Sequence, residues 1–274
     1  MKTVKTVLIT GATGGLGEEL CRTFARQGYQ LVITARKKSA LEAQAKRLRR
    51  AYGAPVTVLA ADFCDAKAPV TLFNELGMMG IEVDVLVNNA GFSAGGDFVT
   101  VTPKQQLEMM KVNISAPTQL CRLILPHMLS RGRGQILNIC STGSIAPGPH
   151  NAVYCATKAY LLHLSEALSQ EVRGTGVTVT AVCPGAVHTG FAHRAEMEAT
   201  YLFRYGVMHP KTVARAAYTA MKAGKHVEVV GCRNKALMFA ARLAPRSMVA
   251  RLSGWIQKPR EPLDSEVFCE CPLE

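Results

Sequence analysis

Two patterns of apolar residues alternate along the chain. Short apolar or β-branched runs such as TVLIT (residues 6–10) and QLVITA (30–35) are typical of strands that are covered on both faces. Between them, apolar residues recur every three or four positions, as Leu16, Leu20 and Phe24 do, and this spacing predicts helices. Strands that alternate with helices form a parallel sheet with helices on both faces. The pattern therefore predicts the α/β class with a doubly wound parallel sheet.

The same alternation continues along the chain. Further strands are predicted at residues 55–62, 83–89, 134–140, 177–183 and 226–230. Further helices are predicted at residues 39–53, 68–80, 152–173 and 212–224, with two more between 103 and 131. No linker or shift in composition interrupts the chain before residue 259, so we expect a single domain over residues 1–258 with a C-terminal helical extension at 234–258. The acidic tail, residues 259–274, is expected to be mobile.

Length and composition narrow the class further. The chain has 274 residues, of which 48% are hydrophobic, and this is enough for the core of one large α/β domain. No apolar run is long enough to span a membrane, and the basic first residues lead directly into a strand without a small-residue cleavage site. We therefore expect a cytoplasmic protein. Its nine cysteines are mostly single and lie in apolar segments, which indicates reduced thiols, and no metal is expected because no cysteine or histidine has metal-ligand spacing.

The net charge of +12 is unevenly distributed. Residues 202–258 contain eleven Lys and Arg against one acid, Glu228, whereas residues 259–274 contain one Arg against five acids. Such a basic region is suited to nucleic acid, to an anionic membrane surface or to an acidic ligand. No nucleic-acid-binding motif accompanies it, so we expect no nucleic-acid partner.

A glycine-rich turn, TGATGGLG at residues 10–17, joins the first strand to the first helix. Gly11, Gly15 and Gly17 permit a sharp turn, a close approach of phosphate to the backbone and tight helix packing, while the helix N-terminus supplies free N–H groups. Such turns also arise for steric reasons alone, but this one stands in the first strand–helix unit, where dinucleotides bind. It predicts a Rossmann-type dinucleotide site that Thr13 and Leu16 also contact.

The end of the second strand indicates which dinucleotide binds. A site for NAD usually has an Asp or Glu about 20 residues after the glycines, where it holds the 2′-hydroxyl. This chain has Ala35-Arg36-Lys37-Lys38 there, and because a guanidinium is suited to a 2′-phosphate, Arg36 favours NADP(H). Alternatively, these residues form the basic start of the next helix. Asp62, after the third strand, is expected either to bind the adenine amino group or to cap the following helix.

Five motifs appear in order along the chain: TGATGGLG at 10–17, NNAG at 88–91, Asn113 in KVNISAP, Ser141 in NICS, and Tyr154 with Lys158 in AVYCATKAY. With them, the chain resembles the short-chain dehydrogenase/reductase family from residue 5 to about residue 231. The resemblance implies that Tyr154 is the general acid/base, Lys158 its activator, Ser141 the group that orients the substrate, and Asn113 part of a proton relay. It also implies a homodimer or homotetramer. Further cofactor contacts are expected, besides Tyr154 and Lys158, from Asn89, Ala90, Gly91, Pro184, Gly185, Val187 and Thr189.

Physical chemistry gives the tyrosine and the lysine the same roles. Reduction of a ketone by a dihydronicotinamide needs a proton at the carbonyl oxygen, and a phenol can supply it when its pKa approaches the working pH. Lys158 follows Tyr154 by about one helical turn, and a drop of ~3 units from ~10 corresponds to about 4 kcal/mol of favourable charge interaction. Each residue also has a structural alternative: Ser141 as a cap, Asn113 as a helix cap or bend, Tyr154 as a core aromatic, and NNAG as closely packed backbone.

Residues about 186–210 are expected to form the substrate lid that the resemblance implies. Their large side chains suggest either a pocket wall for an apolar molecule or packing of this segment onto the core. They are Phe191, Met197, Tyr201, Leu202, Phe203, Tyr205 and Met208. We expect the substrate to be a small apolar ketone or secondary alcohol of hydroxysteroid-like, acyl-derived or xenobiotic type.

The extension at residues 234–258 combines apolar and basic residues and is interrupted by Pro245. Three roles are open for it: peripheral contact with a membrane, cover over the substrate mouth, or packing against a partner subunit. Two rival functions follow from the same features. One is a dinucleotide-sensing protein without turnover, and the other is a membrane-peripheral interaction protein.

Overall fold

The computed structural model describes residues 4–190, Thr200 and residues 207–258. At its centre is a parallel sheet of seven strands in the order β3-β2-β1-β4-β5-β6-β7. The strands are Thr6–Thr10 (β1), Gln30–Thr34 (β2), Val56–Val58 (β3), Val85–Asn88 (β4), Gly134–Ile139 (β5), Val177–Cys183 (β6) and Val227–Val229 (β7). The order reverses between β1 and β4, and ligands of such sheets bind at the carboxyl ends of the strands beside this reversal.

Helices cover both faces of the sheet. They are Gly15–Arg26 (α1), Lys38–Tyr52 (α2), Ala68–Met78 (α3), Pro103–Met110 (α4), Ala116–Ser130 (α5), Ala152–Glu171 (α6), Pro210–Lys222 (α7), Cys232–Leu243 (α8) and Arg246–Gln257 (α9). Alternate residues of β1 serve the two layers, because Val7 and Ile9 pack with α1, α2 and α7, while Leu8 packs with α3 and α5. The sheet and its two apolar layers confirm the predicted doubly wound, Rossmann-type fold in a single domain.

Two elements differ from their predicted extents. The predicted strand at 55–62 is a regular strand only at Val56–Val58, at the edge of the sheet, although backbone hydrogen bonds continue from Leu59 to Ile33 and from Ala61 to Ala35. The two helices predicted between residues 103 and 131 run on from one another through a π-helical segment, Lys111–Ser115. This segment contains Asn113, so the helix is bent where that residue enters the core.

The C-terminal extension consists of α8 and α9. Pro245 lies between them as the N-cap residue of α9, where its missing N–H costs no helical hydrogen bond. Among the described residues, no helix is both long and apolar enough to cross a membrane. Of the apolar lid residues, only Met208 is described; Phe191, Met197, Tyr201, Leu202, Phe203 and Tyr205 lie outside the described residues, as does the predicted tail.

Candidate active site

The glycine turn leads from β1 into α1 with a geometry that only glycine permits at two points. Gly11 has a φ of +64°, in the left-handed region. A methyl group on Gly17 would lie 2.1 Å from the carbonyl oxygen of Gly11, so the turn and the helix could not approach each other this closely with any side chain. No side chain caps α1, whose N-cap residue is Gly14, and the N–H groups of its first turn are available to a phosphate.

A second loop, which contains Asn89 and Ala90, is fastened to this turn by hydrogen bonds. The Thr10 hydroxyl accepts from the backbone N–H groups of Asn89 (3.0 Å) and Ala90 (2.9 Å). In return, the Asn89 amide donates to the carbonyl oxygens of Thr10 (2.9 Å) and Gly11 (3.1 Å). The side chain of Asn89 is therefore engaged in positioning the turn, which supports the structural alternative for the NNAG motif.

The end of β2 carries cations and no carboxylate. Arg36 is exposed and lines the central cleft together with Lys37, and the first turn of α2 contains no acidic residue. Asp62 lines the same cleft and accepts the backbone N–H of Cys64 at 3.0 Å. Because α3 begins only at Ala68, Asp62 caps a local turn rather than that helix. The donor set fits a dinucleotide with a phosphate on its adenosine ribose.

Tyr154 and Lys158 lie one turn apart on α6, as predicted. The Lys158 ammonium is 5.8 Å from the centre of the Tyr154 ring and donates to the carbonyl oxygen of Ile139 at 2.8 Å. Lys158 is only 5% exposed, and this burial lowers the pKa of its amine. Burial raises the pKa of the Tyr154 phenol, while a hydrogen bond with the Ser141 side chain acts in the opposite direction. The pKa of the phenol is therefore raised, whereas the spacing of Tyr154 and Lys158 had led us to expect it to be lowered.

Ser141 stands at the carboxyl end of β5 and has two contacts. Its hydroxyl accepts the backbone N–H of Gly143 at 3.1 Å, which caps the short 3-10 turn Thr142–Ser144. Its second contact is the hydrogen bond with Tyr154. Ser141 therefore both caps a short turn and contacts the Tyr154 side chain.

Asn113 is buried behind the cleft rather than on its wall. Its side-chain oxygen accepts the backbone N–H of Phe92 at 3.1 Å, and its side-chain nitrogen donates to the Phe92 carbonyl at 3.0 Å and to the Thr157 hydroxyl at 3.1 Å. Thr157 in turn donates to the backbone carbonyl of Tyr154 at 2.7 Å. A methyl group on Gly91 would lie 3.1 Å from the Asn113 oxygen and 3.4 Å from the Lys158 nitrogen. Asn113 therefore links the NNAG loop to the helix that carries the catalytic pair.

One cleft of about 1090 Å³ joins nearly all of the predicted site residues. Asn113 is the exception. The cleft is lined by Gly11, Thr13, Gly15, Leu16, Gly17, Arg36, Asp62, Asn89, Ala90, Gly91, Ser141, Tyr154, Lys158, Pro184, Gly185, Val187 and Thr189. The loop after β6 closes over the glycine turn, because a methyl group on Gly15 would lie 2.8 Å from the Thr189 methyl carbon. The cleft can therefore hold a dinucleotide along the strand ends with its reactive end beside Tyr154.

The far wall of the cleft comes from α8 and α9. It is mainly apolar and contains Leu237, Met238, Ala241, Val249, Leu252, Trp255 and Ile256. The helix α9 is packed beside the catalytic tyrosine: the Cys155 thiol donates to the side-chain oxygen of Gln257 at 3.9 Å, and a methyl group on Gly254 would lie 3.1 Å from Pro149. The extension therefore forms part of the wall of the cleft.

Sequence reasoning did not single out Thr10, Thr157 or Gln257. Thr10 closes an apolar strand with a polar residue, and Thr157 lies between Tyr154 and Lys158, so each carried a weak local signal. Their partners are distant in the chain, and no local pattern names them.

The chain is similar to known proteins over most of its length. Residues 5–200 match the short chain dehydrogenase family. The chain is similar to the ketoacyl reductase HetN of Nostoc sp., with 34% identity over 261 residues that cover 92% of this chain and 89% of that protein. It is also similar to the very-long-chain 3-oxoacyl-CoA reductase of Anas platyrhynchos, with 30% identity, 89% of this chain and 77% of that protein covered. The solved short-chain dehydrogenase from Sphingobium yanoikuyae in complex with NADPH has 33% identity and a TM-score of 0.78, with 87% of this chain and 94% of that chain covered.

Proposed function

The chain belongs to the short-chain dehydrogenase/reductase family, and within it we propose that the protein is an NADPH-dependent reductase of apolar, acyl-derived ketones. As a member of this family it is an oxidoreductase that uses a nicotinamide dinucleotide. The observation that carries the proposal is a single cleft with three parts: a phosphate-binding turn at one end, Ser141, Tyr154 and Lys158 at its centre, and an apolar wall beyond them.

The residues of the protein supply the proton for the reaction and stabilise the charges that form when it is transferred. A bound reduced nicotinamide would provide a hydride for the carbonyl carbon. Tyr154 then donates its proton to the carbonyl oxygen; burial keeps the phenol protonated before this transfer, and the charge of the phenolate that remains must be stabilised by its neighbours. Ser141 orients that oxygen and steadies the charge that develops on it. Lys158, a buried ammonium one turn from the phenol, stabilises the phenolate that remains.

We propose that Asn113 serves the proton relay by positioning rather than by direct transfer. Its side chain is already engaged with both backbone groups of Phe92 and with Thr157. Through Thr157 it fixes the backbone at Tyr154, and through the bent helix it holds the NNAG loop against Lys158. A small error in the placement of a catalytic group is enough to slow a reaction strongly.

The preference for NADP(H) is supported by charge at the end of β2. Arg36 and Lys37 line the cleft there, and the end of β2 and the first turn of α2 contain no Asp or Glu at the position that usually binds a 2′-hydroxyl. The similar Sphingobium yanoikuyae structure is a complex with NADPH.

The substrate class is supported by the wall that α8 and α9 build. That wall is apolar beyond Tyr154, and two of the similar proteins are named as ketoacyl and 3-oxoacyl-CoA reductases. A hydroxysteroid-like or xenobiotic ketone would also fit against this apolar wall. The length of the acyl chain of the test substrate is therefore the property to vary. A dinucleotide sensor without turnover is disfavoured, because Ser141, Tyr154 and Lys158 are all present at one cleft.

The decisive experiment is a reduction screen with the purified protein. The oxidation of NADPH and of NADH is followed with 3-oxoacyl thioesters of increasing length, a ketosteroid, an aromatic ketone and a quinone. We expect 3-oxoacyl thioesters to be reduced, with kcat/KM rising with chain length and with NADPH preferred. The proposed class would be rejected if short polar ketones were the best substrates, and the reductase assignment if none of the carbonyl compounds oxidised either cofactor.

Two further proposals concern the assembly of the protein and its location in the cell. Exposed apolar side chains on α4, α5 and α6 support assembly into a homodimer or homotetramer. They are Leu107, Met110, Leu129 and Tyr160. Light scattering after size-exclusion chromatography tests this assembly. The cysteines of the described chain are all free, which supports a reducing compartment such as the cytoplasm. Fractionation of cells that express the protein tests this location.

A further inference from the structure

The helices α8 and α9 expose an apolar stripe to the outside of the molecule. Phe239 and Leu243 are four residues apart on α8, and Met248, Leu252 and Trp255 follow at spacings of four and three on α9. These five side chains are between 56% and 73% exposed. Such spacing places the members of each helix on one face, and the opposite faces bury Met238 and Gln257 against the domain. We call the five side chains the outer stripe.

The outer stripe is accompanied by positive charge alone. Residues 232–258 contain six basic residues and no Asp or Glu: Arg233, Lys235, Arg242, Arg246, Arg251 and Lys258. Of these, Lys235 pairs with Glu228 of β7 at 2.9 Å, which ties α8 to the sheet. Exposed apolar side chains flanked by cations are the pattern of helices that lie in the headgroup region of a membrane.

The outer stripe also reaches the mouth of the cleft. Leu252 and Trp255 belong both to the stripe and to the cleft wall, and Leu237 of α8 adjoins them on that wall. A surface that covered the stripe would therefore lie directly at the entrance for substrate.

We propose that α8 and α9 dock on the surface of an anionic lipid bilayer, with the outer stripe inserted among the headgroups and the basic residues on the lipid phosphates. A tryptophan at the edge of the stripe suits this depth, because indole rings favour the membrane interface. A second copy of the chain is a poorer occupant, since a twofold interface would bring the basic residues of the two copies together without acidic partners from residues 232–258. The acidic tail, with its five acidic residues, is the other partner whose charge is complementary to the basic residues. The experiment below distinguishes binding of the tail from binding of lipid.

Docking of this kind would serve the proposed function. An apolar ketone dissolved in the bilayer would enter the cleft at its lipid-facing mouth without crossing water. This consequence rests on the proposed reductase activity, whereas the docking itself does not, and lipid binding is measured without turnover.

Trp255 makes the test direct, because it is the only tryptophan in the chain and lies within the stripe. The full-length protein is mixed with vesicles of phosphatidylcholine alone or of phosphatidylcholine with phosphatidylglycerol. We expect a blue shift of the tryptophan emission, quenching by brominated lipid and co-sedimentation with the anionic vesicles, all of which weaken at high salt.

The stripe itself is tested by Phe239→Ser/Leu243→Ser, whose side chains do not line the cleft. The double variant is expected to lose about tenfold or more in vesicle partition while it reduces a water-soluble ketone as before. The matched control is Met78→Ser/Met79→Ser at the C-terminal end of α3, two exposed apolar residues far along the chain from the stripe; this variant should bind vesicles like the unaltered protein.

Three results would overturn the proposal. The first is an unchanged emission with every vesicle. The second is a blue shift that grows with protein concentration in the absence of lipid, which would identify a second copy as the occupant. The third is an emission that is already blue in the full chain and moves to the red when residues 259–274 are removed, which would identify the tail. Loss of ketone reduction with intact vesicle binding would instead refute the proposed function and leave the docking standing.

Discussion

Replacement of the catalytic tyrosine separates chemistry from binding and folding. Tyr154→Phe removes one oxygen atom, and the Ser141 hydroxyl that contacted it keeps its hydrogen bond to the backbone N–H of Gly143 at 3.1 Å. Ser141 therefore keeps one hydrogen-bond partner, and the free energy of unfolding should change by no more than about 1 kcal/mol. The glycine turn and Arg36 are untouched, so the dissociation constant for NADPH should stay within about threefold of that of the unaltered protein.

The rate should respond very differently. A positioned general acid contributes about 10²–10⁴-fold, which corresponds to about 2.7–5.4 kcal/mol of transition-state free energy. The Ser141 side chain contacts the Tyr154 phenol, whereas the Lys158 ammonium is hydrogen-bonded to the carbonyl oxygen of Ile139 at 2.8 Å. We therefore expect kcat for ketone reduction to fall by that factor while KM changes little.

The assay needs a tyrosine control on the same helix. Tyr160→Phe also removes a phenolic oxygen from α6, but Tyr160 is 40% exposed and its hydroxyl contacts Thr118 at 3.1 Å, away from the cleft. Its kcat should equal that of the unaltered protein. Steady-state rates, NADPH titration by fluorescence and thermal unfolding are measured for both variants. The assignment of Tyr154 would fail if its variant kept more than about a tenth of kcat, or if NADPH binding fell as far as the rate did.

Other perturbations test the remaining parts of the cleft. Arg36→Asp should lower the NADPH-over-NADH ratio of kcat/KM by about tenfold or more, whereas Lys38→Asp, which does not line the cleft, should leave it unchanged; an equal ratio in both would remove Arg36 from the cofactor site. Gly17→Ala should abolish dinucleotide binding in a fluorescence titration, because its methyl group would lie 2.1 Å from a carbonyl oxygen of the turn; normal affinity would contradict the close approach. Thr157→Val should cost about 1–2 kcal/mol in urea unfolding and lower kcat, and a change in stability alone would limit this residue to a structural role. Burial raises the pKa of the phenol, so reduction, which needs the protonated form, should be level through neutral pH and decline only on the alkaline side; a pH profile that rises with alkalinity would refute it as the donor.

Those features that the sequence predicted correctly depend on residues close together in the chain. The strands β1 and β2 follow from short apolar runs, and the glycine turn follows from four glycines within seven residues. The spacing of Tyr154 and Lys158 sufficed to place both on one face of α6. Local backbone preference and burial decide such features, and both can be seen in a window of a few residues.

Features that the sequence could not predict depend on contacts between distant residues. The Thr10 hydroxyl holds backbone groups that lie 79 and 80 positions later, and nothing around Thr10 marks that partner. The π-helical bend at Asn113 arises because its side chain pairs with the backbone of Phe92, 21 positions earlier. In both cases tertiary packing determines the role of a polar residue that local propensity leaves open.

The packing of the extension at residues 234–258 also depends on contacts between distant residues, which the sequence could not predict. Its amphipathic pattern and the break at Pro245 predicted two helices but left open what they cover. Contacts of Gln257 with Cys155 and of Gly254 with Pro149 place α9 beside the catalytic tyrosine, and such contacts are a matter of shape, which the pattern does not contain.

The origin of the cleft's far wall has a consequence for how such an enzyme can diversify. The stretch that matches the family ends at residue 200, whereas α8 and α9 begin at Cys232. The residues proposed to carry out the reaction and most of the apolar wall proposed to hold the substrate therefore lie in successive segments of the chain. Mutations in the later segment, or its exchange for the corresponding segment of another protein, would change the apolar wall and leave the residues of the earlier segment unaltered. New substrate specificities could therefore arise from changes near the C-terminus alone.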